Sequence, residues 1–152
     1  MSHQKYIELL SEFCSLVDAT NTADILEHGN LHIDGVAFSL AHEDTLGRDD
    51  LIIYCDFGSL PQKDSNRAYL ELLHANLMLY GGSLGGTFAI NPESGNVLLL
   101  AYQRLADATP EGLASHLNIL AELAKLWRDG EAVLDRLFAI EPARSGETPE
   151  RF

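Results

Sequence analysis

The sequence predicts an α+β fold in the order αβββαββα: a twisted antiparallel five-stranded sheet with helices packed on it, assembled as a homodimer. Three observations carry this expectation. Apolar residues recur at helical spacing near both ends of the chain, and two pairs of short β-rich runs are each joined by a tight-turn signal. Between those pairs lies a helical stretch, 66–81, that is apolar nearly all round and so needs cover on nearly all sides. One sheet face can cover only one of them, which is why a second subunit is expected. With 152 residues, 46% of them hydrophobic, the chain can fill one core without disulfides or metal. One domain is expected over residues 1–140, followed by a polar, turn-rich tail, "EPARSGETPERF" at 141–152, predicted to be disordered.

The first helix spans Ser2 to Ala19. Tyr6, Ile7, Leu10, Phe13, Cys14 and Val17 line one side, and Gln4, Glu8, Ser11, Glu12, Ser15 and Asp18 take the other. Leu9 and Leu16 widen its apolar arc. In "NLHIDGVAFSLAHE", Asp34-Gly35 supplies the left-handed conformations of a two-residue hairpin, placing strands at 30–34 and 36–42. The polar turn "EDTLGRDD" leads to a third strand, "LIIYCDF", at 51–57. In the 66–81 helix only a thin polar strip around Glu71, His74 and Asn76 interrupts the apolar surface. Strands at 84–90 and 96–104 flank "NPESG", where Pro92 suits the first corner of a turn and Gly95 a left-handed position. Thr109-Pro110-Glu111 opens the last helix with an N-cap hydroxyl, proline at the first helical position and an acid in the first turn. Its apolar stripe runs to Gly130, and "EAVLDRLFAI" is a candidate extension.

A formal charge of −13, from 10 basic and 23 acidic residues, opposes binding to nucleic acid or to an anionic membrane and favours neutral or basic partners. Residues 1–62 hold eleven acids against only Lys5 and Arg48. Cys14 and Cys55 are the only cysteines and share no metal-ligand spacing, which suits a reducing cytoplasmic setting. No window reaches the roughly 18 consecutive apolar residues of a membrane span, and the N-terminus has no signal-peptide pattern.

The glycines 81, 82, 85 and 86 invite a phosphate-loop reading. Such a loop must follow a strand and open a helix, so that backbone N–H groups and the helix N-terminus face the anion. This cluster does the reverse, and no basic residue lies between Arg67 and Arg104. A helix end with close backbone packing fits better. Among six histidines, His28 and His32 are four apart but separated by Gly29 and Asn30, and His42 precedes Glu43 and Asp44. A small metal-dependent hydrolase using His28, His32 or His42 is therefore one alternative reading. There is no GxSxG, and neither cysteine sits in an electropositive setting. No catalytic residue, metal ligand or cofactor is assigned.

The runs "LLHANLMLYGG", "FAINPESGNVLLLAYQRL" and "TPEGLASHLNILAELAKLWRDGEAVL" resemble the class I chaperones of bacterial type III secretion, the Tir-chaperone-like family. Ala75-Asn76-Leu77, Gly81-Gly82, Pro92, Gly95, Val97 and Trp127-Arg128 fill the family's places in order, over roughly residues 4–135. Asn91 and Ser94 depart mildly from the family's Asp-Pro-x-Thr-Gly turn. The resemblance implies a cytoplasmic, non-enzymatic homodimer that binds the extended N-terminal segment of a secreted effector and keeps it soluble and export-competent without ATP hydrolysis. A regulatory member of the fold that sequesters another secretion component needs the same surfaces and is the second reading. On this basis Phe13, Leu16, Leu31, Ile33, Phe38, Leu40 and Ile52 are the candidate effector-binding residues, by apolar pockets and strand addition; each also suits a core position. Leu73, Leu77, Tyr80 and Leu84 are the candidate dimer contacts.

Overall fold

The computed structural model describes residues 2–140 except 46, 83 and 132; the tail expected at 141–152 lies outside the described residues. The chain runs α1 (Ser2–Leu16), α2 (Thr22–His28), β1 (Asn30–Ile33), β2 (Val36–Glu43), β3 (Asp50–Gly58), α3 (Ser65–Leu79), β4 (Gly86–Ile90), β5 (Val97–Arg104), a single 3-10 turn at Leu105–Asp107, α4 (Pro110–Arg128) and α5 (Val133–Ile140). The five strands form one antiparallel sheet in the order β1-β2-β3-β5-β4.

The expected α+β architecture is present, with two short helices added to the expected order. α2 has seven residues and buries only Ile25, too little for a periodic signal. At the other end, residues 133–140 do not extend α4. The chain turns at Asp129-Gly130, and α5 packs back on α3 and α4. The glycine junction is also longer than expected, because α3 ends at Leu79 and β4 starts at Gly86.

Local chemistry explains the remaining elements. Ile33 pairs with Val36 around Asp34 and Gly35, whose φ angles of 51° and 81° give the left-handed two-residue turn. Thr109 Oγ1 accepts from Gly112 N at 3.0 Å, capping α4. In the β4–β5 turn, Asn91 Oδ1 accepts from Glu93 N at 2.9 Å, and Gly95 N donates to Asn91 O at 2.8 Å.

Strand alternation sorts the sheet into two faces. Val36, Phe38, Leu40, Leu51, Ile53, Cys55, Phe57, Val97, Leu99 and Ala101 are buried beneath the helices, with α4 lying over β1, β2 and β3 and α3 beside β4. α1 packs on α4 and contributes Leu10 and Phe13 to the same core. The end of α4 is pinned to the sheet by Arg128, which donates to the carbonyls of Asp56 at 2.9 Å, Gly35 at 3.2 Å and Phe57 at 3.3 Å. Three carbonyls held by one guanidinium fix the helix over the β1–β2 turn and the end of β3.

Candidate functional site

Among the described residues three apolar surfaces stand out. The first is a groove of about 350 Å³ where the end of α1, α2, β1 and α4 meet, lined by Phe13, Ile25 and Leu31, core residues no more than 5% exposed, by half-buried Ile33, and by polar Asp18, Asn21 and Asn118. Of the candidate effector-binding residues, this groove unites Phe13, Leu31 and Ile33. Leu16 is 50% exposed at the end of α1, next to Val17 on the groove wall. Among the described residues β1 pairs only with β2, so its other edge carries no strand partner there.

The second surface is the sheet face opposite the helices. Ile52 lies opposite Tyr102, and Tyr54 opposite Leu100, so two aromatic and two aliphatic side chains form one patch. Tyr54 and Tyr102 are exposed, and Ile52 and Leu100 are half-buried. Ile52 therefore stands apart from the other candidates. Phe38 and Leu40 occupy the opposite face, buried in the core.

The third surface is α3. Its inner side buries Ala68, Leu72, Ala75, Met78 and Leu79, yet Tyr69, Leu70, Leu73, Leu77 and Tyr80 are exposed, Leu73 by 64% and Tyr80 by 73%. These five recur at helical spacing and form one stripe. The stripe runs beside edge strand β4, where Tyr69, Leu73, Phe88 and Ile90 border a groove of about 290 Å³. Leu73, Leu77 and Tyr80 thus share this surface, whereas Leu84 is buried.

Sequence reasoning missed Asn76. It sits on the polar strip of α3, but its amide closes on β4 from the outside: Oδ1 accepts from Phe88 N at 2.5 Å and Nδ2 donates to Phe88 O at 3.2 Å. This bidentate clasp satisfies the edge strand's outward backbone groups and fixes β4 against the stripe. Below the clasp, Gly85 and Gly86 let β4 approach β5. A Cβ on Gly86 would lie 2.6 Å from Leu100 O, so any side chain there displaces backbone.

Burial pushes the Cys55 thiol up to about 12 and also raises Cys14, against a hydrogen bond from Thr22. Both cysteines are free and buried. Of the histidines considered for metal, His28 lies on α2 and His32 on β1, while His42 hydrogen-bonds Asp49. Among the described residues no group of three or more His, Cys, Asp or Glu side chains is arranged to hold a metal ion, and no helix is long and apolar enough to cross a membrane.

An α+β protomer with an unshielded helix stripe, an open sheet face and a groove beside a free strand edge is built for contact with other polypeptides. The chain belongs to the Tir chaperone protein (CesT) family, whose model matches residues 5–128. Among solved structures it is similar to the ExsC–ExsE complex, at 21% identity and a TM-score of 0.66 over 83% of this chain and 92% of that one. It is also similar to the Yersinia pestis type III secretion chaperone SycH in complex with a stable fragment of YscM2, at 25% identity and a TM-score of 0.59 over 78% of this chain and 96% of that one. The HopA1–SchA chaperone–effector complex matches at 21% identity and a TM-score of 0.64, covering 85% of this chain and 97% of that one. No curated protein matches the sequence significantly.

Proposed function

We propose that this chain is a type III secretion chaperone that acts as a cytoplasmic homodimer. It holds the N-terminal chaperone-binding segment of an effector in a soluble, export-competent state and catalyses no reaction. The observation that carries this reading is the groove of Phe13, Leu31 and Ile33 beside the unpaired edge of β1. An extended segment can place apolar side chains in the groove while its backbone pairs with the strand, so affinity and register come from separate contacts. The α3 stripe supports a dimer, since a stripe of this size on a soluble monomer would stay in water.

Co-expression with fragments of the effector encoded beside it tests the reading. The expected result is co-purification of an N-terminal effector fragment with a dimer, measured by light scattering. A monomer that captures no such fragment overturns it. Capture of another chaperone or of a transcriptional regulator's partner, with no effector, assigns the chain to the regulatory reading instead.

A further inference from the structure

Two histidines 39 residues apart in sequence meet where the first turn of α1 touches the end of β2. The His42 side chain is only 4% exposed, and its Nε2 lies 2.7 Å from Asp49 Oδ1. Tyr6 packs on the same imidazole with ring centroids 5.4 Å apart and planes 16° apart. His3 stands beside both rings, its centroid 5.8 Å from that of Tyr6 and 5.6 Å from that of His42, with the two Nδ1 atoms only 3.4 Å apart. The difference between the last two distances is about two ring radii, so the nitrogens face each other.

Asp49 can only accept, so in the neutral ring it holds the His42 proton on Nε2 and leaves a lone pair on Nδ1. An N–H bond between the two rings would be long at 3.4 Å, beyond the usual limit of about 3.2 Å. The spacing suits something else. Two imidazoles bound to one tetrahedral ion at about 2.0–2.1 Å stand about 3.4 Å apart. The carboxylate on the far nitrogen is the outer contact that fixes the tautomer of metal-bound histidines.

We propose that His3 and His42 form a two-imidazole site for a borderline divalent cation such as Zn(II). Asp49 orients His42, and water completes the coordination. Among the described residues no third His, Cys, Asp or Glu joins them, so the site is open and exchangeable. Its effect is to tie the start of α1 to β2. This inference is independent of the chaperone reading, because it concerns the first turn of α1, at the opposite end of the helix from the groove.

The test uses the full chain, without an affinity tag and stripped by chelator. Zn(II) is titrated by calorimetry, and Co(II) serves as the spectroscopic probe of imidazole ligation. One ion per chain is expected, with a Zn(II)-induced rise in melting temperature. His3→Ala is expected to weaken binding by about tenfold or more and to abolish that rise, and Asp49→Asn to weaken binding by about 10- to 100-fold. His3 is exposed, so the fold survives its loss, as circular dichroism will verify. Absence of Zn(II) binding by the unmutated chain overturns the proposal. So does equal binding by His3→Ala, which assigns the ion to other histidines.

Discussion

Asn76 anchors the edge strand β4 to α3. Its amide pairs with both of Phe88's outward backbone groups, so removing it leaves the N–H unpaired and the carbonyl with only a long 3.5 Å bond from Thr87 Oγ1 at a packed edge. At about 1 kcal/mol for each hydrogen bond, Asn76→Leu is expected to cost about 2 kcal/mol, read as a lower urea midpoint. The sequence showed Asn76 as a polar interruption in an apolar helix and as part of the Ala75-Asn76-Leu77 run, without a partner for its amide. Its partner is backbone twelve residues away, and backbone carries no side-chain signature. His116 gives a second test at this scale. Burial holds it below the ordinary histidine range, and a hydrogen bond to the Leu84 backbone offsets part of that shift. The unfolded chain therefore binds the proton first as pH falls. The stability tied to neutral His116 is complete above about pH 6.5 and is lost as pH drops through the folded value. Thermal melts from about pH 7 down to about pH 5 should show the unmutated chain losing more stability than His116→Gln.

At the scale of elements, α3 is the one whose sequence and surroundings disagree most within a single protomer. Leu73 is 64% exposed and makes no part of the core, so on the proposed dimer contact Leu73→Asp should leave the helical signal intact while shifting light scattering from dimer to monomer. A stable dimer in that variant would move the contact elsewhere. The surplus of apolar residues on 66–81 was visible in the sequence because periodicity counts side chains around an axis. The strands were equally legible: Asp34-Gly35 and the Asn91–Gly95 turn each fix a register. What periodicity could not resolve were elements near two turns long. α2 buries one side chain, and α5 looked like more of α4 until the Asp129-Gly130 turn separated them. The candidate binding residues divided for a related reason. Alternation says that neighbours along a strand face apart, but not which face the helices cover, so Ile52 and the pair Phe38 and Leu40 fell on opposite sides.

For the whole molecule, a formal charge of −13 sets how partners arrive. A basic segment should associate fastest at low ionic strength, with added salt slowing association far more than it speeds dissociation; stopped-flow mixing over a salt series reads this directly. Strand order has a different consequence, one that concerns synthesis. β3 is the middle strand of the sheet, yet one of its two neighbours, β5, arrives only at residues 97–104, after α3 and β4 have been made. Until then a nascent chain carries Leu51, Ile53, Cys55 and Phe57 on a strand with one open side, before α4 exists to cover them. Closing that long-range pairing is a slow step, and the ribosome-bound half-protein is itself a client in need of protection before it can protect anything else.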